Sequence, residues 1–271
     1  MEIKEILKNA FIFPSKNLET LSIFAILTLL SSAFTFEGIV TIIFGIIDLQ
    51  YLVIGAIYLI IAFILGMICR SISIDCIKSG INLREKAPDF IWWKSFGAGF
   101  SKIIVTIFYF LVPALIVVFL ALITNIIGGV LSLGQAIVLE IPNIILGNAD
   151  ATLFSASFPL LLSLSITISA GLIIFLIFSF FQFMAEARLA HKGRLRDALN
   201  FVGAARDLTR IGVLKVIALC IIIFVIVSII EIILAVIFNY LFVLSILTIV
   251  ITPYFTLFGQ NALGLLYSDI V

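Results

Sequence analysis

The fold is decided by apolar stretches such as Val213–Phe238, which reads VLKVIALCIIIFVIVSIIEIILAVIF and contains only Lys215 and Glu231 as charged residues. The hydrocarbon core of a bilayer is about 30 Å thick, so roughly 20 apolar residues in a helix are enough to cross it. This stretch is therefore predicted to be a membrane-spanning helix.

The composition of the whole chain agrees with membrane insertion. Of the 271 residues, 63% are hydrophobic and only 11% are charged, whereas soluble domains are about a quarter charged. Backbone in lipid must satisfy its own hydrogen bonds, which favours helices. We expect one all-α integral membrane domain over residues 1–271, a polytopic helical bundle of about six transmembrane helices plus interfacial amphipathic helices.

Breaks in the apolar pattern divide the chain into these segments. An amphipathic helix at 1–13 is expected on the membrane surface, ended by Pro14, with Ser15 or Asn17 capping the next helix. The predicted crossings are residues 21–47, 51–74, 102–124, 158–184, 213–238 and 241–267.

Lys and Arg residues fall into three clusters, Lys4–Lys16, Arg70–Lys102 and Arg188–Lys215, with none in the long apolar stretches between them. Basic residues beside membrane helices stay on the cytoplasmic side. Residues 75–101 and 185–212 are therefore predicted to be cytoplasmic, as are both termini of a multi-pass protein in the cell membrane. Clusters this small indicate contact with membrane lipid, and no nucleic-acid partner is expected.

Residues 125–157 leave two alternatives open. Gly128, Gly129, Gly134 and Pro142 interrupt an apolar stretch whose two flanks should both lie outside the cell. The segment is either a pair of short helices on the outer face, which we favour, or a re-entrant loop packed against protein.

Several short motifs carry a resemblance to a known family. A crossing that ends near Gly80 is followed by a Pro-acidic-Phe step with a nearby Trp, and later parts of the chain continue the likeness. The residues are Pro88, Asp89, Phe90, Trp92, Gly97, Gly99, Ala187, Arg188, Leu189, Ala190, Gly193, Arg194, Leu195, Gly259, Gln260, Leu263 and Tyr267. The pattern resembles an archaeal family of polytopic membrane proteins, domain of unknown function family 4013. The resemblance implies a six-helix membrane fold and brings no activity, ligand or catalytic residue.

Two carboxylates inside predicted crossings, Glu37 and Glu231, are candidate functional residues. A charge at the bilayer centre costs at least about 2.5 to 3.5 kcal/mol, so such residues often face a cavity. The alternative is that each reaches the interface near a helix end.

Polar residues near the cytoplasmic ends of two crossings form a second candidate, an inner-face polar patch. Its expected members are Gln182, Glu186, His191, Gln260 and Asn261. In the same crossing as Gln182, small residues recur every four positions at Ser163, Thr167 and Gly171, which predicts close helix packing.

No catalytic or metal motif is apparent. His191 is the only histidine, and Cys69, Cys76 and Cys220 lack metal or redox spacing, so neither a cofactor nor an enzyme activity is expected.

Two functions from different classes remain. One is a transporter-like or permease-like module for a small or lipidic solute, with Glu37 and Glu231 as coupling residues. The other is a non-catalytic scaffold or assembly subunit whose basic cytoplasmic helices bind anionic lipid or a protein partner. The basic residues expected to face lipid or partner are Arg188, Lys192, Arg194, Arg196, Arg206 and Arg210.

Overall fold

A computed structural model describes residues 1–46, 48–88, 95–145, 151–240 and 248–271. These residues form α-helices and short 3-10 segments, with no strand among them. The helices are α1 Ile3–Ile12, α2 Leu18–Phe44, α3 Leu49–Ile81, α4 Ser95–Ile123, α5 Ile126–Ile145, α6 Ala151–Lys192, α7 Leu195–Ala198, α8 Phe201–Ile211, α9 Val213–Tyr240 and α10 Thr248–Tyr267. Within the described ranges, six helices are long and apolar enough to cross a membrane: α2, α3, α4, α6, α9 and α10. The protein is therefore an all-α, multi-pass membrane protein.

Helices α3 and α6 continue past the predicted C-terminal ends of their membrane crossings. Helix α3 continues to Ile81 and α6 to Lys192, so both extend about two turns past the expected ends of their crossings. Neither extension contains a residue that interrupts the helix. Helix α6 stops before Gly193, whose φ of +65° belongs to the left-handed region that glycine adopts without strain. Residues 185–192 thus continue the helix of the fourth crossing, and their cytoplasmic location stays a prediction.

The glycine-rich stretch after α4 also differs from expectation. Helix α5 is one helix from Ile126 to Ile145, where the sequence suggested two short helices or a re-entrant loop. Glycine lowers helix stability by only about 1 kcal/mol per residue, which an apolar environment readily offsets by backbone hydrogen bonding. Whether α5 lies on the outer face stays a prediction.

The chain divides into two compact units. Unit 1 contains Met1–Thr106 and Phe180–Val271, and unit 2 contains Ile107–Ser179. In unit 1, apolar side chains of α2, α3 and α10 form a buried cluster with the segment after α1. Its buried members are Phe13, Leu21, Phe24, Leu27, Ile68, Ile72, Cys76, Ala87 and Leu257.

Helices α3 and α10 touch backbone to backbone at two glycines. A Cβ atom at Gly80 would lie 2.5 Å from the carbonyl oxygen of Asn261, and one at Gly264 would collide with the carbonyl oxygen of Ile77. The Asn261 side chain donates to the carbonyl of Cys76 at 3.4 Å across the same contact. The sequence predicts Gly80 as a helix end, and α3 does end one residue later, at Ile81. In the structure Gly80 also lets α10 approach α3.

The N-terminal segment is fastened to unit 1. Ile6 and Ala10 of α1 are buried, and Asn17 caps α2 by accepting from the amide of Thr20 at 3.2 Å. The Asn17 side chain also donates to the carbonyl of Ala87 at 3.0 Å. The predicted amphipathic helix is therefore present, and its apolar side packs partly against protein.

A surface ion pair reinforces this attachment. Lys16 Nζ lies 2.8 Å from Glu85 Oε2, and the hydrogen bond from Lys16 holds the pKa of Glu85 below its usual value. The pair is exposed, so its contribution to stability is small.

Unit 2 shows the close packing that the small residues of α6 predicted. The hydroxyls of Thr124 and Thr167 are 2.9 Å apart, and a Cβ at Gly171 would lie 3.1 Å from the side chain of Val117. The Pro-acidic-Phe step and Trp92 lie, from Asp89 onward, outside the described residues.

Replacement of Gly264 by alanine tests the α3–α10 contact. The added methyl group meets the Ile77 carbonyl, so the helices must separate, and we expect a loss of about 1–3 kcal/mol in the free energy of unfolding. Gly259→Ala on the same helix is the matched control, because a Cβ there meets nothing within 4 Å. Thermal unfolding in detergent measures the stability of both variants. Equal unfolding midpoints for Gly264→Ala and Gly259→Ala would contradict the contact assigned to Gly264.

Candidate functional site

Five polar side chains from α4, α6 and α10 form a buried hydrogen-bonded network in unit 1. Lys102 Nζ lies 3.0 Å from Glu186 Oε2 and donates to Gln260 Oε1 at 3.2 Å. Gln182 Nε2 donates to Glu186 Oε1 at 2.9 Å and reaches the hydroxyl of Thr106 at 3.2 Å. Both carboxylate oxygens of Glu186 therefore have a partner.

The charges of this network are removed from solvent. Lys102 is 8% exposed and Glu186 is 3% exposed. Burying two ions costs several kcal/mol each, and their attraction offsets that cost only when the remaining hydrogen-bonding groups are satisfied. Gln182, Thr106 and Gln260 supply the additional hydrogen bonds. The network thus joins three crossing helices through hydrogen bonds made by Lys102, Gln182 and Glu186.

The structure brings together three of the five residues expected in the polar patch. Gln182, Glu186 and Gln260 meet in the network, whereas sequence reasoning missed Lys102 and Thr106. The missed signal was a pair of residues four apart on each of two helices, Lys102 with Thr106 and Gln182 with Glu186, which places each pair on one helix face. Lys102 was assigned to a solvated basic cluster, but its position in the second turn of α4 buries it.

The two remaining patch residues lie elsewhere. Asn261 is buried at the α3–α10 contact, and His191 is exposed near the end of α6. The imidazole ring of His191 is 6.3 Å from the ring of Tyr267, centroid to centroid. His191 instead belongs to a second arrangement of polar residues.

This second arrangement, the basic pocket, is a cavity of about 400 Å³ beside the ends of α6, α8 and α10. The residues that line it carry four Lys or Arg side chains, one histidine and one acidic side chain, Asp207. The lining residues are Arg188, His191, Lys192, Asn200, Val202, Gly203, Arg206, Asp207, Arg210, Tyr267, Ile270 and Val271.

The wall of the basic pocket is held by Arg188, Asp207 and Tyr267. Arg188 Nη1 donates to Asp207 Oδ2 at 2.8 Å, and its Nε donates to the carbonyl of Asp197 at 3.1 Å. The hydroxyl of Tyr267 donates to the same Asp207 oxygen at 2.7 Å. A Cβ at Gly203 would lie 2.6 Å from the guanidinium of Arg188, so glycine gives this side chain its space.

Contrary to the sequence prediction, Arg188 does not face lipid or a partner, because its side chain is buried and paired with Asp207. It is 7% exposed, because its guanidinium is used inside the protein to position Asp207. The other five predicted basic residues are exposed, but they do not form one surface. Lys192, Arg206 and Arg210 line the basic pocket, whereas Arg194 and Arg196 line a separate hollow around α7.

Local sequence explains how α8 presents these cations. Asn200 caps the helix by accepting from the amide of Gly203 at 3.0 Å, and Gly212, with a φ of +100°, ends it. Leu208 is buried, and Arg206 and Arg210, four residues apart, share an exposed face. The charged face and the buried face follow from the helical period alone.

The two candidate carboxylates within the membrane are placed differently from each other. Glu37 is an exposed residue of α2, and Glu231 is an exposed residue of α9. Glu231 lines a cavity of about 430 Å³ between α9 and α10, and Glu37 is not among the residues that line it. The structure does not bring the two together in one cavity.

The described residues contain no cluster of the side chains that usually bind transition metals or divalent ions. No group of three or more His, Cys, Asp or Glu residues is found among them, and Cys69, Cys76 and Cys220 are free thiols.

Truncation of Glu186 tests the buried network. In Glu186→Ala the ammonium group of Lys102 stays buried without its counter-ion, so we expect the free energy of unfolding to fall by about 3–5 kcal/mol. The double variant Lys102→Met with Glu186→Met should recover most of that loss. Thermal unfolding in detergent is the measurement.

The matched control is Asp197→Ala, which breaks the exposed pair with Lys192, 3.8 Å apart. That change should cost no more than about 1 kcal/mol. If the two single variants melt alike, the Lys102–Glu186 pair does not carry the stability assigned to it.

Comparison with known proteins places the chain in a family. No curated protein and no solved structure matches it. The family described as "Protein of unknown function (DUF4013)" matches residues 72–238, a range that includes Lys102, Glu186, Arg188, Asp207 and Glu231. The chain belongs to the DUF4013 family of proteins of unknown function.

Proposed function

We propose that this protein is a non-enzymatic cell-membrane protein that binds anionic lipid headgroups in the basic pocket. The observation that carries the proposal is the lining of that pocket. Four Lys and Arg side chains and His191 surround about 400 Å³, and Asp207 is the one acidic side chain among the lining residues.

The positive charge of the pocket is not cancelled internally. Asp207 is paired with Arg188 and hydrogen-bonded by Tyr267, so its charge is already compensated. In the described part of the chain neither Arg206 nor Arg210 has an ion pair. Arginine presents a planar set of donors that matches phosphate oxygens, so this pair suits a phosphodiester group.

The position of the pocket favours a lipid as the source of that phosphate. Arg188 and Tyr267 lie near the ends of α6 and α10, two helices long enough to cross the membrane. The ends of such helices lie at the depth of the lipid headgroups. Each basic residue near an anionic leaflet contributes about 1 kcal/mol to binding. A scaffold role, in which bound lipid or a protein partner is held at this face, follows from the same cations.

The proposed orientation puts the basic pocket and both termini in the cytoplasm. It is supported by contacts among the basic segments within unit 1. Lys16 of the first cluster pairs with Glu85, which lies within the second, and Lys215 of the third donates to the backbone carbonyl of Met1 at 2.7 Å, beside the first. The three basic clusters therefore meet at one end of the unit, as cytoplasmic placement of basic residues requires.

A carrier function has less support. The coupling hypothesis needs Glu37 and Glu231 to act together, and Glu231 lines a cavity to which Glu37 does not contribute.

Removal of the two unpaired cations tests lipid binding. Arg206→Ala with Arg210→Ala should weaken binding of short-chain phosphatidylglycerol about thirty-fold, since two contributions of about 1 kcal/mol are lost. Native mass spectrometry of the full chain in mild detergent measures the bound lipid, with phosphatidylcholine of the same chain length as reference.

The control is Arg84→Ala with Lys86→Ala, which removes the same charge from exposed residues that do not line the pocket. If lipid binding fell equally in both double variants, the loss would be due to net charge alone, and lipid binding in the basic pocket would be refuted. Competition by glycerol phosphate would indicate a soluble phosphate as the ligand in place of a lipid.

Labelling of introduced cysteines tests the orientation. In a variant with the three native cysteines replaced, Asn82→Cys should react with an impermeant maleimide only from the cytoplasmic side, and Asp48→Cys only from outside. Asp48 immediately precedes α3 and Asn82 immediately follows it, so the two positions lie at opposite ends of one crossing helix. The reverse pattern of labelling would invert the proposed topology.

A further inference from the structure

The cavity between α9 and α10 is distinct from the basic pocket and has a different chemistry. It encloses about 430 Å³, and its polar lining consists of Glu231 from α9 and Thr248, Thr252 and Thr256 from α10. The rest of the lining is apolar: Val227, Ile230, Leu234, Ala235, Ile251 and Phe255. The polar groups therefore converge on a cavity whose other walls cannot form hydrogen bonds.

Glu231 lies in the membrane-spanning part of α9, toward the end opposite Lys215. It follows Lys215, at the basic end of this helix, by about 24 Å along the helix axis. No ion pair with Glu231 is found in the described part of the chain. A carboxylate within a membrane-spanning helix is unfavourable unless a partner compensates it, and Glu231 is an exposed residue of α9 that lines this cavity.

The threonines add further acceptor oxygens. They are spaced four residues apart on α10, so one face of the helix presents all three to the cavity. The hydroxyl of Thr256 donates its hydrogen to the carbonyl of Thr252 at 2.9 Å, which leaves its oxygen lone pairs for another group.

A site of one carboxylate and several neutral oxygens selects its ligand by charge and hardness. Oxygen donors suit hard cations, and a divalent ion held by protein needs more negative charge than one carboxylate supplies. The described residues contain no cluster of acidic side chains that could add this charge. One positive charge balances Glu231 and leaves the cavity neutral.

We propose that the cavity between α9 and α10 is a binding site for a small monovalent cation, neutralised by Glu231 and coordinated by the threonine oxygens. This site is independent of lipid binding at the basic pocket. It gives Glu231 a role without Glu37, and places the ion against two membrane-spanning helices.

The test is the effect of ions on thermal unfolding of the full chain in detergent, at constant ionic strength. Sodium, potassium or lithium chloride is compared with N-methylglucamine chloride, whose cation is too bulky for oxygen coordination. At about ten times the dissociation constant, one of the small cations should raise the unfolding midpoint by about 3–6 °C. The proposal would be refuted if none of the three small cations raised the unfolding midpoint above the value measured in N-methylglucamine chloride.

Two variants assign the effect to the cavity. Glu231→Gln should abolish the ion-specific rise, and Glu37→Gln, which removes an exposed carboxylate from α2, should retain it. An equal rise in Glu231→Gln and the unaltered protein would overturn the proposal. Thr252→Val should weaken the apparent affinity several-fold while keeping the carboxylate, so the proposal stays testable even if Glu231→Gln fails to fold. Unchanged affinity in Thr252→Val would then count as its refutation.

Discussion

The buried ion pair between Lys102 and Glu186 controls how the basic end of unit 1 is assembled. With its oxygens occupied by Lys102 and Gln182, the Glu186 carboxylate fixes α6 against α4, and Lys102 also reaches Gln260 on α10. Only two residues after Glu186, Arg188 begins the wall of the basic pocket. The rotation of α6 that satisfies Glu186 therefore also determines where Arg188 can meet Asp207 and Tyr267.

Because a bilayer contains no water, buried charged groups need partners within the protein, whereas unpaired charged groups are found at exposed positions. At the basic end, every charge that is buried has a partner from another helix, as with Lys102 and Arg188. Cations that remain unpaired, such as Arg206 and Arg210, are exposed beside a cavity. Glu231 is an exposed residue of a crossing helix, lines the cavity between α9 and α10 and lacks an ion pair within the described residues. Buried polar groups that are paired within the protein stabilise the fold. The groups without an ion pair line the two proposed binding sites.

Besides the buried ion pairs, the fold depends on the close approach of helices α3 and α10. Gly80 and Gly264 allow α3 and α10 to touch, and this contact places the end of α10 beside α6 and α8. Association of helices in lipid gains little from the hydrophobic effect, so small residues and buried hydrogen bonds carry the packing. Tyr267 reaches Asp207 only because α10 is held in this position.

Sequence alone determined that the chain is an all-α membrane protein with six crossing helices, because length and hydropathy of apolar stretches decide membrane insertion one segment at a time. It also supplied the amphipathic N-terminal helix, Ser15 or Asn17 as the cap of α2, and three members of the buried network. The partner of Glu186 could not be found in this way, since Lys102 lies far away in the chain and its burial depends on the rotation of α4. Tertiary structure likewise decided that Arg188 is internal while Arg206 and Arg210 are exposed, and that Glu231 faces a cavity without Glu37. These outcomes depend on which helix faces meet, and that choice is set by contacts between residues distant in sequence.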